Sequence, residues 1–152
     1  MVVATGSNLF SQTWNMAHAI ISGNVVDPVL ASRSTSKLKM IFGAFPDMEY
    51  NRPDFPIIII DNPQITSSNI TMPTGGIIGK TVTIPVRIYS KSNEQLNVLT
   101  DDVTDAFMNN KAVFSNSGLQ LTGTTIGPAS TDILANVRIH FKEIRANMNT
   151  VV

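Results

Sequence analysis

From Lys80 to Asn110 a strand, a tight capped turn and an amphipathic helix follow one another without interruption, and this succession constrains the fold more than any other stretch of the chain. Thr81 to Tyr89 alternates with period two, placing Val82, Ile84, Val86 and Ile88 on one face and Thr81, Thr83, Arg87 and Tyr89 on the other, the pattern of a half-buried strand. Ser92-Asn93-Glu94-Gln95 then sets a hydroxyl before the helix and an amide three residues on, a reciprocal cap for two orphan N–H groups. Beyond it the period becomes 3.6. Leu96, Leu99, Val103, Ala106 and Phe107 form one stripe, and Glu94, Asp101, Asp102 and Asp105 lie mainly off it. One face of the sheet therefore has a helix to cover it.

A second helix is predicted over Ser7 to Ile21, with Phe10, Trp14, Ala17 and Ile21 in a stripe and Ser22-Gly23-Asn24 as its stop. Lys37 to Phe42 reads as a strand with Leu38, Met40 and Phe42 on one side. Gly43 to Pro56 carries three prolines and a glycine and reads as a loop. The run Phe55-Pro56-Ile57-Ile58-Ile59-Ile60 has no polar side, as a strand buried on both faces requires, and Ile58 and Ile60 or their neighbours should meet the Val82 to Ile88 stripe. Asp61 to Lys80, with Pro63, Pro73, Gly75, Gly76 and Gly79 among Ser, Thr and Asn, reads as a long connection. Leu119 to Gly123 is a short strand, Thr124 to Ser130 a turn region, and Ile133 to Lys142 alternates as a closing strand. The whole predicts an α+β fold, a mostly antiparallel sheet of about four or five strands packed against two helices. Residues 1–152 read as a single domain in which 27–54 and 61–80 are long loops suited to serve as interface arms.

Such a chain of 152 residues buries roughly 70% of its unfolded surface, so nothing demands a staple. It has no Cys, which removes disulfides, thiolate metal sites and Cys nucleophiles. Charged residues make up 14%, against about 25% usually, and Asn, Ser and Thr supply the polarity. That composition suits a surface in lasting contact with other protein. Eleven basic and eleven acidic residues leave no global field for nucleic acid or an anionic membrane. Apolar runs fall far short of the roughly 20 residues that span a bilayer, and Met1 to Leu9 lacks the features of a secretory signal. The Asn69-Ile70-Thr71 sequon is read as accidental on that account.

Candidate chemistry is sparse. Thr74-Gly75-Gly76-Ile77-Ile78-Gly79-Lys80-Thr81 ends like a phosphate-binding loop, yet Thr74 stands where the first glycine belongs and a strand follows where a helix should. Asp101 and Asp105 share a helix face beside Asp102, without a histidine to complete a metal or acid-base set. His18 and His140 have no second ligand at metal spacing. Arg138, His140, Lys142 and Arg145 form one basic group and Arg33, Lys37 and Lys39 another, but only Phe141 interleaves as an aromatic. No nucleophile elbow occurs. Hence no catalytic, cofactor-binding or metal-binding residue is assigned, and the chain is expected not to be an enzyme and to need no cofactor.

The Pro-led strand Phe55 to Ile60, the strand Val82-Thr83-Ile84-Pro85-Val86-Arg87-Ile88-Tyr89-Ser90 with its Tyr-Ser turn, the helix Leu96 to Val103 that follows, and the Ser7 to Ile21 helix together resemble the tail terminator, or tail-completion, proteins of long-tailed bacteriophages and related tailed viruses. The resemblance covers about two thirds of the chain and lies in apolar spacing rather than invariant residues. It implies a non-enzymatic structural protein that self-associates as a ring, a homohexamer, on the head-proximal end of the tail tube. There it stops tube growth and joins the tail to the head connector. The implied partners are the tail tube protein and the head-tail connector protein, with DNA only passing through the channel and no membrane. The implied location is the virion neck, after assembly in the host cytoplasm. Head-to-tail connectors and minor tail subunits show similar patterns, and a small phosphate- or nucleotide-binding domain is the alternative of another class. No functional residue of the family maps onto one position here, and Asp27 to Asn51 matches no family feature.

Overall fold

A computed structural model describes residues 9–33, 39–46, 53–70, 77–134 and 136–150. Two long strands carry the architecture: β4 (Ile77–Ser90) and β7 (Val137–Thr150) pair antiparallel from Thr81↔Asn149 to Ser90↔His140. Each outer edge of this pair is shared by two shorter strands end to end. Along β4 lie β2 (Ile57–Ile60), opposite Val86 to Tyr89, and β3 (Gln64–Ile70), opposite Ile77 to Thr83. Along β7 lie β5 (Leu119–Ile126), opposite Ile144 to Thr150, and β6 (Ser130–Leu134), opposite Val137 to Phe141. A two-residue β1 (Ile41–Phe42) adds to β2 as the one parallel pair among the described residues of the seven-stranded sheet. The class is α+β as the sequence implies, with more strands than four or five.

Pro85 shows why the edges divide where they do. Its carbonyl accepts the N–H of Asp61 at 3.0 Å, so its missing donor faces the same edge, in the gap between β2 and β3 where no ladder bond is lost. Asp61 to Pro63 fill that gap. On the far flank Gly127 N–H reaches Glu143 O at 2.9 Å in the matching gap between β5 and β6.

Helices α1 (Leu9–Asn24) and α2 (Asn93–Asn109) and the short α3 (Lys111–Ser115) cover one face, called inner here. Ile58 lies opposite Ile88 and Ile60 opposite Val86, both inside the main core with Val82, Ile84, Ile144, Ala146 and Met148. The α2 stripe is buried as its spacing dictates. In α1 the buried line is Leu9, Thr13, Ala17, Ile20 and Ile21, rotated from the expected stripe, which leaves Phe10 56% exposed. Thr13 enters the core because its hydroxyl donates to Leu9 O at 2.6 Å, and Trp14 sits at the rim with Nε1 donating to Ile60 O at 2.9 Å. Ser7 and Asn8 fall outside the described residues.

Other expectations need correction. The 61–80 connection is largely a hairpin, since β3 pairs with the start of β4 although Ser67, Ser68 and Asn69 have little strand preference of their own. Residues 71–76 lie outside the described residues. The closing alternation is two strands, not one: β6 turns back at Asn136, whose φ of 63° is the left-handed conformation asparagine tolerates. Strand β5 continues through Thr124, Thr125 and Ile126, so the expected turn region shrinks to 127–129. Met40 joins the inner core and Phe42 the cluster on the opposite face, because a two-residue strand imposes no shared side; Lys37 and Leu38 are not among the described residues. The Ser92 cap is half-reciprocal. Ser92 Oγ accepts from Gln95 N, but Gln95 Oε1 takes its bond from the buried Ser90 hydroxyl, which in turn accepts Ser92 N–H.

Within 27–54 the organising contact is ionic. Arg33, its side chain wholly buried, lays its fork on Asp27, with Nε at 2.5 Å and Nη2 at 3.1 Å from the two carboxylate oxygens. Its remaining donors reach Asp54 O and, at 2.6 Å, Pro56 O. Asp27 also accepts Val29 N–H at 3.1 Å, and Leu30–Ser32 closes the segment as a 3-10 turn. The clamp thus ties the exit of α1 to the entrance of β2. Removing one partner of such a pair strands a desolvated charge. Arg33→Met should cost about 3–5 kcal/mol of unfolding free energy in urea titration, and adding Asp27→Asn should recover part of it. A loss below ~1 kcal/mol for Arg33→Met would show the clamp to be dispensable.

Candidate functional site

The motifs that the sequence singles out do not converge. Ile77 to Thr81 are strand β4, where Lys80 N–H donates to Thr150 Oγ1 at 3.2 Å, so no helix N-terminus stands behind the Gly-Lys-Thr end. Thr74 to Gly76 lie outside the described residues. Asp101, Asp102 and Asp105 are exposed on α2, and a small groove of about 180 Å³ brings Asp102 and Asp105 beside Asn24, Asn109 and Asn110 rather than beside a histidine. Among the described residues no three His, Cys, Asp or Glu side chains gather as metal ligands would. His18 stacks on Trp14 with centroids 5.2 Å apart, and His140 Nδ1 shares a hydrogen bond of 3.0 Å with Thr131 across the β6–β7 pair.

The basic groups are likewise divided. Strand alternation puts Arg138, His140 and Lys142 on the face of Ile144, while Arg145 faces the other way and binds Glu143 at 2.6 Å. Lys142 Nζ donates to Asn97 of α2 at 2.7 Å. Of the second group, Arg33 is the buried clamp, Lys39 lies over the Phe42 ring, and Lys37 is not described.

What the fold does assemble is the outer sheet face, which no described helix covers. At the β2 end, Ile57, Ile59, Tyr89 and Ile139 form a satellite core edged by the half-buried Phe42, Phe45, Phe55, Val137 and Phe141. Tyr89 stacks on Phe141 at 5.2 Å and takes the edge of Phe45 at 5.0 Å. Arg87 holds both oxygens of Asp61, at 2.7 and 3.1 Å, and donates to the Tyr89 hydroxyl at 2.9 Å. Beside them a groove of about 350 Å³ opens where β5 hands over to β6, lined by Gly127, Pro128, Ser130, Phe141, Glu143 and Arg145. At the β3 end the face turns neutral. Thr81 and Thr83 hydroxyls donate to Asn149 and Asn147 at 3.2 and 3.0 Å, and Asn147 reaches Thr125 at 3.4 Å. Aromatic rings and an oriented arginine on a rigid sheet are the groups that protein interfaces favour.

Sequence alternation already set Arg87 and Tyr89 on this face. It gave no hint of Asp61 or Phe45, which arrive through the β2 register and the 43–56 loop. Burial weighs against the Arg87 charge, but the Asp61 and Tyr89 contacts outweigh it and its pKa is raised. Burial of the Tyr89 phenol raises its pKa above the usual 10.0, and the neighbouring Arg87 only partly offsets this. The folded state thus prefers the neutral phenol. Stability present below pH 10 should fall as pH rises through the raised Tyr89 value. The chain has two tyrosines, so an ultraviolet phenolate titration of Tyr50→Phe isolates Tyr89. Its midpoint should lie above 10, and a midpoint at or below 10 would refute the packed, desolvated platform.

No known protein family matches the chain, and no curated protein matches it. Among solved structures, a chain in the virion of a native gene transfer agent particle is similar at 13% identity, with 88% of this chain and 93% of that chain covered and a TM-score of 0.43.

Proposed function

We propose that this chain is a non-enzymatic structural protein of a virion, a tail terminator that closes the head-proximal end of a tail tube as a ring. In this reading copies associate as a homohexamer in the neck, after assembly in the host cytoplasm. One rim meets the tail tube protein, the other meets the head-tail connector, and DNA passes through the channel without a dedicated site.

The observation that carries the reading is the β3–β4 ribbon. At its tip Ile77 to Gly79 of β4 pair with Ser68 to Ile70 of β3, beyond Thr81↔Asn149, the outermost β4–β7 partners among the described residues. A two-stranded ribbon on its own is marginal in water and gains support when a neighbour packs on it. It therefore reads as an arm offered to another subunit, in the segment where the sequence already placed an interface arm. The outer face, uncovered by any described helix, gives the same subunit a second contact surface with its aromatic platform, and the apolar spacing that resembles that of tail terminators supports this choice of assembly.

Electron microscopy of particles made by the parent virus without this gene tests the reading. Overlong or irregular tubes beside tailless, DNA-filled heads are the expected result. Joined tails of normal length would refute it.

A further inference from the structure

Strands β3, β4, β7 and β5 form a continuous antiparallel band, and its two outermost members are open. Each of β3 and β5 pairs on one side only among the described residues. One cross-strand row runs Thr66↔Thr81↔Asn149↔Gln120 and the next on the same face Gln64↔Thr83↔Asn147↔Gly123, so the two open edges stand at the same level on opposite flanks. They match in length, seven residues against eight. Neither carries Asp, Glu, Lys, Arg or Pro, the residues with which soluble proteins blunt a free edge.

Strand direction then decides how copies could join. Four antiparallel strands place β3 and β5 in opposite directions. Setting β3 of one copy against β5 of the next therefore preserves the antiparallel alternation across the junction. This contact uses different surfaces on the two partners, so it is heterologous and propagates until a rotation closes it. The bulge between Leu121 and Gly123 bends β5 and raises its twist, curvature of the kind that closure demands.

We propose that β3 of one copy adds to β5 of a second copy of this chain as an antiparallel strand, so that backbone hydrogen bonds join the subunits. The proposal rests on the ring reading above and specifies its subunit contact. The junction rows are neutral, with Gln64 and Thr66 on the outer face of one edge and Gln120 and Thr125 on the outer face of the other.

Because the chain has no cysteine, thiol cross-linking reads this contact directly. Residues on neighbouring strands of one face lie within reach of a short bis-maleimide. Wild-type particles are first probed for the protein with an antibody. Particles carrying Thr66→Cys with Gln120→Cys are then treated with the linker, as are particles carrying Gln64→Cys with Thr125→Cys in case the register differs. A denaturing gel should show a ladder of covalent multimers ending at the ring size for at least one pair, and no product for any single variant. Dimers from Thr66→Cys alone would reveal an isologous β3–β3 contact and overturn the proposal. Normal incorporation with no ladder from either pair would overturn it too while leaving the ring reading standing. Absence of the wild-type protein from particles would remove both.

Discussion

The β4–β7 ladder is the interaction on which everything else in this structure depends. Two strands of fourteen residues pair over most of their length, and every other strand but β1 attaches directly to one of them. Burial follows from that pairing. With a side-chain period of two, one register choice sends Val82, Ile84, Val86 and Ile88 and their partners Met148, Ala146 and Ile144 to the same face. A slip of β7 by one residue would carry Glu143 and Arg145 beneath the helices instead. Such a slip would bury two charges in an apolar setting, so the register is fixed by what it excludes as much as by what it packs.

From that ladder the two faces acquire different physics. The inner face is closed by α1 and α2, and α3 adds Phe114 against Phe107, with ring centroids 6.1 Å apart. Among the described residues the outer face has no such cover. Its apolar half is partly shielded by the 43–56 loop, which the Arg33 clamp holds at its far end. Its polar half satisfies itself through cross-strand Thr and Asn pairs. A buried arginine that lies 49 positions before Val82, the first residue of the β4 stripe it indirectly serves, has no periodic signature.

Legibility in the sequence tracks how local each determinant is. The all-isoleucine β2 left open whether Ile58 and Ile60 or their neighbours face the core, whereas strand β4, helix α2 and the Ser92 half of its cap were readable because periodicity and capping act within one element. Strand β3 was not, since Ser67-Ser68-Asn69 becomes strand only when β4 supplies the partner backbone. The β6–β7 hairpin hid for a different reason. Alternation continues through Leu134 and Val137 across a turn so short that Asn136 alone marks it. The basic groups divide because proximity in sequence ignores strand faces, as the separation of Arg145 from Arg138, His140 and Lys142 makes plain. Of the outer platform, Arg87 and Tyr89 were visible; Asp61 and Phe45 reach it by tertiary register.

The scarcity of charge fits the same scheme. Three of the acidic residues are spent on internal pairs, Asp27 with Arg33, Asp61 with Arg87 and Glu143 with Arg145. The open edges of β3 and β5 carry none. Burying a charge at a subunit contact incurs a desolvation penalty that its partner must match, whereas backbone and amide groups exchange water for one another at small net gain, about 0.5–1.5 kcal/mol per bond. Contacts of the proposed kind would each be weak. Order would then come from closure, where every copy is held at both edges and none can leave without breaking two contacts. An assembly of the proposed kind is served by that balance, since weak edges do not assemble prematurely and a closed ring does not come apart readily.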